Sequence, residues 1–331
     1  MVKVIIPAAG RGTRLYPHTL YTPKPLLKVA GKPILFYILQ KIQDFDVESI
    51  YVVISHGYEN VIDFVRKFFP RSEVKGVYQD RRLGLGHAVY QAIKKIKNLD
   101  GDLLILLSDT IFEADFEEFL KTREDFLVVK EVENPKHYGI VVVDDDYIVD
   151  LEEKPDHPKS NLAIIGVYYI SDAQRLKSSL EYIINHNVKT RGEFQLTDAL
   201  KIMLNEGWKP KAIRAKEWID CGTASSLLKA NRKLLNRIDN SEKVEVNGDS
   251  IVIHPVYIGN NVKLRRSVIG PYVSIGDWSQ IISSVIHDTI IDENVKISNY
   301  ILENSILSYG TILEGDSKSV SLSAFSNMSG L

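Results

Sequence analysis

The chain has 331 residues, of which 44% are hydrophobic and 25% are charged, so it is long enough for two domains with ordinary globular cores. Its formal net charge of −2 gives no overall attraction to nucleic acid or to an anionic membrane, and any anion-binding site must therefore be local. The single cysteine, Cys221, excludes an intramolecular disulfide and a cysteine-rich metal site.

The apolar segments of the chain are short. The longest cover residues 34–39 and 103–107, far below the length that spans a bilayer. Pro7, Gly10 and Arg11 interrupt the apolar run near the N-terminus, which argues against a signal peptide. We therefore expect a cytoplasmic protein that has neither a membrane nor a nucleic-acid partner.

The first stretch of the chain combines a strand, a glycine-rich turn and two cations. Residues 4–6 predict a buried parallel strand, which Pro7 ends because it has no N–H for the ladder. In the turn that follows, successive backbone N–H groups can bind phosphate oxygens. Arg14 adds a bidentate donor, and Lys24 lies between two prolines. These features predict a polyphosphate site, although the spacing matches neither the P-loop nor the dinucleotide fingerprint, and a structural turn is the alternative.

Strands and helices then alternate up to residue 107. The predicted strands cover residues 49–55, 73–79 and 103–107, and the predicted helices cover residues 34–45, 60–69 and 86–96. This alternation predicts an α/β domain with a mixed, mainly parallel sheet, whose ligands bind at the carboxyl ends of strands. Because Arg11, Gln79 and Asp109 each lie at or just after the end of a predicted strand, we expect them to lie near one another.

The middle of the chain mixes further strands with helices. The predicted strands cover residues 126–131, 138–143, 147–151, 161–170, 212–214 and 217–219, and the predicted helices cover residues 173–185, 196–205 and 225–235. Gly166 lies inside one of these strands, where a side chain would crowd a neighbour. Asp220 follows a strand, as Asp109 does. Two aspartates are enough for Mg²⁺ when substrate phosphates complete its shell, although each could instead be a cap or turn residue.

From about residue 243 the pattern changes to a six-residue period. Aliphatic residues recur in four groups, which are Val252/Ile258/Leu264, Ile269/Ile275/Ile281, Val285/Ile291/Ile297 and Ile301/Leu307/Leu313. This period predicts a left-handed parallel β-helix of about four coils, whereas a β-sandwich would alternate with a period of two. We expect a catalytic domain over residues 1–240, a β-helix over residues 241–315 and a Ser-rich tail over residues 316–331. The faces of the β-helix predict a homo-oligomer.

The motifs of residues 2–235 together resemble those of the sugar-1-phosphate nucleotidylyltransferases. The resemblance rests on several motifs in family order, which are Gly10-x-Gly12-Thr13-Arg14-Leu15, Pro23-Lys24-Pro25, Tyr78-Gln79, Leu83–Ala88, Ser108-Asp109, Tyr138-Gly139, Glu153-Lys154-Pro155, 164–167, Arg191-Gly192-Glu193 and Asp220-Cys221-Gly222. It is strongest for the long-type glucose-1-phosphate thymidylyltransferases that carry a β-helix tail. Ala9 stands where many members have Gly, and Thr110 and Cys221 differ from the usual neighbours of the two aspartates.

The resemblance implies a Rossmann-like nucleotidyltransferase domain and a role for each matching residue. Arg14 and Lys24 would be catalytic, and Asp109 and Asp220 would bind Mg²⁺. The residues implied in nucleotide binding are Ala9, Gly10, Gly12, Thr13, Gln79 and Gly84. The residues implied in binding the sugar phosphate are Tyr138, Gly139, Glu153, Lys154, Ile164 and Glu193. The amide of Gln79 suits the imide of uracil or thymine, whereas we interpret His87 as a residue that starts a helix.

The resemblance also implies a reaction. A sugar-1-phosphate oxygen, most simply that of glucose-1-phosphate, attacks the α-phosphorus of dTTP or UTP in line, and pyrophosphate leaves without a covalent enzyme intermediate. N-acetylglucosamine-1-phosphate uridylyltransferases share most of the motifs, so neither the base nor the sugar is fixed.

Two alternatives come from other classes. A hexapeptide acyltransferase would need a catalytic base in the β-helix, where the candidates are His254 and His287. A non-catalytic regulatory subunit would be expected to have lost some of the charged motif residues, yet all of them are present.

Overall fold

The computed structural model describes residues 2–238 and 249–316. Within it, the residue contacts define two compact units. The first contains the residues up to Lys28 together with Lys32–Ala230, and the second contains Val29–Gly31 and the chain from Asn231 onward. The boundary expected after residue 240, and the Ser-rich tail beyond Asp316, lie outside the described residues.

The elements up to residue 235 alternate as an α/β protein. The strands are β1 (Val2–Pro7), β2 (Lys28–Val29), β3 (Lys32–Pro33), β4 (Val47–Ile54), β5 (Glu73–Tyr78), β6 (Leu103–Leu106), β7 (Thr110–Glu113), β8 (Phe126–Glu131), β9 (Gly139–Asp144), β10 (Tyr147–Glu153), β11 (Leu162–Ile170), β12 (Lys211–Arg214) and β13 (Glu217–Asp220). The helices are α1 (Ile34–Gln40), α2 (Glu59–Phe68), α3 (Leu85–Ile93), α4 (Glu117–Thr122), α5 (Ala173–Asn185), α6 (Leu196–Asn205) and α7 (Ala224–Leu235). Short 3₁₀ turns occupy Thr13–Leu15, Lys24–Leu26 and Pro135–His137.

The first unit is built on a nine-stranded sheet in the order β5-β4-β1-β6-β11-β8-β12-β10-β9. Strands β5, β4, β1 and β6 are parallel. Strand β11 then runs antiparallel to both β6 and β8, and β10 runs antiparallel to β9 and β12. Every residue of β6 and β11 is buried, which explains their unbroken apolar sequences. The predicted mixed α/β sheet is confirmed.

The junction between the parallel strands and β11 positions the chain that follows β6. The Leu107 N–H donates a hydrogen bond to the Gly166 carbonyl oxygen at 2.8 Å. Gly166 has a φ of +98°, and a Cβ at this position would lie 2.7 Å from Cγ of Leu107. A side chain there would therefore collide with Leu107, as predicted, and would displace the segment that leads to Asp109.

The second unit contains a parallel β-helix, as predicted. Its strands are β14 (Ile251–Val252), β15 (Val256–Ile258), β16 (Lys263–Arg265), β17 (Val268–Ile269), β18 (Val273–Ile275), β19 (Gln280–Ile282), β20 (Val285–Ile286), β21 (Ile290–Ile291), β22 (Lys296–Ser298), β23 (Ile301–Leu302), β24 (Ile306–Leu307) and β25 (Ile312–Glu314). They form three four-stranded sheets, in the orders β14-β17-β20-β23, β15-β18-β21-β24 and β16-β19-β22-β25. Each coil therefore contributes one strand to each sheet.

Two of the predicted repeat positions in the β-helix, Val285 and Ile301, lie one residue before the residue that enters the core. The side chains of Val285 and Ile301 are 40% and 78% exposed, whereas Ile286 is fully buried and Leu302 packs against the core. Ile286 pairs in register with Ile269 on one side and with Leu302 on the other. The strict six-residue period fails here because these coils advance by only five residues between the first two faces.

A buried asparagine ties the residues of the second unit together. Asn231 is 1% exposed, and its Oδ1 accepts hydrogen bonds from the Ala30 N–H and from Oγ of Ser274, both at 2.8 Å. Its Nδ2 donates to the Tyr272 carbonyl oxygen at 3.1 Å. The turn at Val29–Gly31 is therefore joined to the β-helix by the end of α7.

Among the described residues, no helix is long and apolar enough to cross a membrane.

Candidate active site

The glycine-rich turn after β1 has a fixed shape. Gly12 has a φ of +62°, and its carbonyl oxygen accepts a hydrogen bond from Oγ1 of Thr19 at 2.8 Å. The Ala9 carbonyl oxygen accepts hydrogen bonds from Oγ of Ser55 at 3.0 Å and from Nε of Arg82 at 2.8 Å. Because the Gly12 and Ala9 carbonyl oxygens are hydrogen-bonded to side chains outside the turn, the turn can present its N–H groups to a ligand.

A cavity of about 440 Å³ opens beside this turn, at the carboxyl ends of the parallel strands. Seven of the predicted site residues line it, and these are Ala9, Gly10, Lys24, Gln79, Gly84, Asp109 and Glu193. Arg82, which was not among the predicted site residues, also lines the cavity. The available signal was a cation in the short loop between Gln79 and Gly84.

Two aspartates and two cations meet next to the cavity. Nζ of Lys24 lies 2.6 Å from Oδ2 of Asp109 in an ion pair. Strands β7 and β13 pair with Thr110 opposite Asp220, which brings the two aspartates together. A Cβ added to Gly222 would lie 2.7 Å from Nη2 of Arg14 and about 3 Å from the Asp220 carboxylate. The structure thus brings together the two predicted catalytic cations and the two predicted metal ligands.

The electrostatics of this cluster suit a divalent cation. Burial, and then the nearby charge of Asp109, raise the pKa of Asp220, while Lys24 and Arg14 act in the opposite direction. In the described part of the chain, no group of three or more His, Cys, Asp or Glu is arranged to hold a metal. The donor set is therefore a pair of hard carboxylates that repel each other, which fits Mg²⁺ completed by ligand phosphates. Burial, and then Asp109, also raise the pKa of Cys221, so its thiol stays protonated.

A second group of predicted residues lies on the antiparallel side of the sheet. Gly139 pairs with Glu153 across β9 and β10, and a Cβ at Gly139 would lie 3.1 Å from Oε2 of Glu153. The same Oε2 accepts a hydrogen bond from Oγ1 of Thr197 at 2.8 Å. Lys154 has a φ of +43°, its N–H donates to the Tyr138 carbonyl oxygen, and its Nζ lies 3.3 Å from Oε1 of Glu153. A carboxylate and an ammonium are thus held side by side, as a site for hydroxyls and a phosphate requires.

Tyr138 connects this group to the aspartate pair. Burial, and then the charge of Asp220, raise the pKa of the Tyr138 hydroxyl. Its ring packs edge to face against Trp218 with 5.1 Å between the ring centroids, and Nε1 of Trp218 donates to Oγ1 of Thr110 at 2.5 Å. Thr110 therefore supports the aromatic pair next to the aspartates.

The remaining predicted residues occupy varied positions. Ile164 is buried in β11, and its Cδ1 would lie 3.5 Å from a Cβ at Gly139. Glu193, predicted on the sugar side, lines the same cavity as Gln79. It packs against Gly84, and a Cβ added at Gly84 would lie 2.9 Å from Cβ of Glu193. Thr13 and Arg14 are exposed on the 3₁₀ turn.

The conformation of Gln79 is determined by its neighbours. Its side chain is buried, and Nε2 donates to the Gly84 carbonyl oxygen at 3.1 Å and lies 3.0 Å from Nδ1 of His87. Gly84 has a φ of +111°, and a Cβ there would lie 2.5 Å from the Phe194 carbonyl oxygen. Only glycine fits this position.

Comparisons with known proteins agree with this geometry. Residues 3–237 match the family model described as nucleotidyl transferase. The chain is 38% identical over 256 residues to the bifunctional protein GlmU of Methanocaldococcus jannaschii, and the match covers 77% of this chain but only 59% of that protein. It is 30% identical over 319 residues to a glucose-1-phosphate thymidylyltransferase of Streptomyces antibioticus, and that match covers 92% and 87% of the two chains.

Solved structures share the fold of nearly three quarters of the chain. A Bacillus anthracis protein, assigned provisionally as a glucose-1-phosphate thymidylyltransferase, superposes with a TM-score of 0.61 and 26% identity, and the match covers 73% of this chain and 98% of that one. A UDP-glucose pyrophosphorylase in complex with UDP-glucose superposes with a TM-score of 0.59 and 22% identity, over 72% and 100% of the two chains. At that identity the second likeness supports the fold alone.

Proposed function

The chain belongs to the nucleotidyl transferase family, and from this premise we propose that it transfers a nucleotidyl group from dTTP or UTP to a sugar-1-phosphate, most simply glucose-1-phosphate. One observation carries the proposal. Lys24 and Asp109 line a cavity that also contains an amide suited to a pyrimidine. Arg14 and Asp220 lie beside them and near Tyr138, whose carbonyl oxygen accepts a hydrogen bond from Lys154 of the carboxylate–ammonium pair suited to a sugar phosphate. Two phosphorylated substrates that bind in this way would place their phosphates at the cations.

Each cation has a separate role in the proposed reaction. Lys24 is buried, so its ammonium would stabilise the charge that develops on the α-phosphate during in-line attack. Arg14 is exposed beside Asp220 and would hold the departing pyrophosphate. Lys154 would neutralise the incoming sugar phosphate, and Glu153 would accept hydrogen bonds from sugar hydroxyls. No side chain needs to act as a nucleophile, so catalysis would consist of positioning and charge neutralisation.

Asp109 and Asp220 would hold Mg²⁺. When bound, the ion would supply charge neutralisation for the triphosphate. Since Lys24 pairs with Asp109, its ammonium would offset the repulsion between the two carboxylates before the ion binds.

The test is a matrix of nucleoside triphosphates against sugar-1-phosphates, scored by pyrophosphate release from the full chain with Mg²⁺. We expect turnover with dTTP or UTP and a hexose-1-phosphate, and much slower turnover with ATP or GTP. N-acetylglucosamine-1-phosphate belongs in the matrix because the alternative branch of the family would use it. A parallel assay for acetyl transfer from acetyl-CoA tests the acyltransferase alternative. No pyrophosphate release from any combination would refute the proposal.

We also propose that the chain forms a homo-oligomer through its β-helix. An aliphatic ladder lies on the outer face of one sheet, where Ile251 is paired in register with Val268, Val268 with Val285 and Val285 with Ile301. Ile251, Val285 and Ile301 are 61%, 40% and 78% exposed. A second copy of the chain would bury this ladder. Light scattering of the purified full chain tests the proposal, and a monomer at micromolar concentration would contradict it.

A further inference from the structure

The orientation of the Gln79 amide follows from the groups around it. The Gly84 carbonyl oxygen can only accept a hydrogen bond, so the amide nitrogen of Gln79 must face it at 3.1 Å. The second hydrogen on that nitrogen points to Nδ1 of His87 at 3.0 Å. Both amide hydrogens are therefore used within the protein, and Oε1 is left to interact with a ligand in the cavity that Gln79 lines.

This arrangement constrains the His87 ring. Nδ1 must offer a lone pair to Gln79, so a neutral ring carries its proton on Nε2. Nε2 lies 2.9 Å from Nε2 of Gln91, and because a protonated ring nitrogen needs an acceptor, the N and O of this amide must be exchanged so that its oxygen faces the ring. Burial, and then the charge of Lys94, lower the pKa of His87, which favours the neutral ring. The ring therefore accepts from Gln79 and donates to Gln91.

We propose that His87 is a positioning residue for base recognition, which fixes the Gln79 amide with its oxygen toward the nucleobase. His87 lies behind Gln79 and is not among the residues that line the cavity. The inference rests on the proposed function, because it concerns the nucleotide of that same site. It extends the interpretation of His87 as a residue that starts α3.

The consequence is a choice between pyrimidines. Uracil and thymine carry a hydrogen on N3, which Oε1 of Gln79 can accept. Cytosine carries a lone pair at N3, which would face Oε1 and be repelled. An amide free to rotate could present its nitrogen instead and would accept cytosine. His87 thus contributes to specificity by disfavouring that second orientation together with the Gly84 carbonyl oxygen.

The experiment compares His87→Leu with His87→Asn in the full chain. Leu removes one of the two acceptors of the Gln79 amide nitrogen, whereas the Asn oxygen can replace Nδ1. Tyr90→Phe serves as the control on the same helix, because Tyr90 contacts Glu181 rather than this network. For each protein, KM and kcat are measured with UTP, dTTP and CTP against glucose-1-phosphate, and binding of the three nucleotides is measured by calorimetry. Thermal unfolding monitors the fold.

We expect His87→Leu to raise KM for UTP and dTTP about tenfold, with little change in kcat or in KM for glucose-1-phosphate. The preference for UTP over CTP should fall by a similar factor. His87→Asn should restore most of both, and Tyr90→Phe should match the wild type. Gln91→Leu, which leaves Nε2 without its acceptor, should reduce the preference in the same direction and can replace His87→Leu should that variant fail to fold.

Two results would overturn the inference, and they are distinguishable from failure of the proposed function. In the first, His87→Leu lowers the melting temperature but leaves nucleotide affinity and the UTP-to-CTP preference unchanged, so that His87 is only structural. In the second, both His87→Leu and His87→Asn lose affinity equally for all three nucleotides. Failure of the proposed function itself would appear in the wild type, as no nucleotide binding and no pyrophosphate release.

Discussion

Lys24→Ala and Lys154→Ala should impair the enzyme in different ways, because the two lysines differ in burial and in partner. The Lys24 side chain is 11% exposed and its Nζ lies 2.6 Å from Oδ2 of Asp109. The Lys154 side chain is 38% exposed, and its Nζ lies 3.3 Å from Oε1 of Glu153. The first ammonium acts in a site with little water, whereas water screens the second.

These environments set the expected magnitudes. A buried donor aimed at charge that develops in the transition state is worth about 10²–10³ in kcat. We therefore expect Lys24→Ala to lower kcat by that factor, with a small change in either KM. A screened ammonium on a phosphate that is already charged in the ground state contributes about tenfold in binding. Lys154→Ala should therefore raise KM for the sugar-1-phosphate about tenfold and leave KM for the triphosphate unchanged.

Steady-state kinetics with each substrate varied in turn will separate the two effects. Thermal unfolding is needed alongside, since Lys24→Ala leaves Asp109 beside Asp220 without its cation. Lys209→Ala is a suitable control for lost surface charge, because Lys209 lines a different cavity. Wild-type constants in both variants would refute the site assignment. A loss of kcat in Lys154→Ala together with a loss of sugar affinity in Lys24→Ala would exchange the two roles.

Three further predictions concern the aspartate pair, the buried Asn231 and the protonation of His87. Asp109→Asn and Asp220→Asn should each shift the Mg²⁺ dependence of the rate to higher concentration without unfolding the protein, and full activity at low Mg²⁺ would show that the residue is not a ligand. Asn231→Ala should lower the free energy of unfolding by about 3 kcal/mol, because the buried Ala30 N–H and the buried Ser274 hydroxyl lose their shared acceptor; urea denaturation measures this loss. Protonation of His87 turns Nδ1 into a donor opposed to the Gln79 amide, and the pKa of this histidine is lowered. KM for UTP should therefore be constant near pH 7 and rise only below the ordinary histidine value of about 6.5, and a KM that already rises between pH 8 and pH 7 would contradict this.

The elements that the sequence predicts well are those whose pattern is set by burial alone. Strands such as β6 and β11 are buried on both faces, so their apolar runs indicate their position within a residue or so. Gly166 was predictable for a related reason, because a glycine inside a buried strand indicates a close contact. By contrast, β7 and α4 were missed. α4 has no buried residue, and β7 has only two apolar residues between Thr110 and Glu113, so neither gives a clear periodic signal.

The β-helix shows where periodicity misleads. The six-residue spacing identified the fold, but Val285 and Ile301 were assigned to the core one residue too early. Both positions are followed by another aliphatic residue, Ile286 and Leu302, so the local pattern fits either choice. Only the register with the neighbouring coil decides between them, and register is a long-range property.

The candidate site was predictable as a set of residues but not as a geometry, and the sheet explains why. Gln79 follows the parallel strand β5 and Lys24 lies on a 3₁₀ turn, whereas Glu153 ends the antiparallel strand β10 and Lys154 follows it. The two groups belong to one sheet because β11 reverses direction beside β6 and runs antiparallel to both β6 and β8. A strand pairing between residues about sixty positions apart leaves no local trace in the sequence. Arg82 was missed for the same reason, since its contact with the Ala9 carbonyl exists only once the strands have assembled. The reacting phosphates should therefore lie at this reversal, where a change in sheet register would separate the two substrates without altering any site residue.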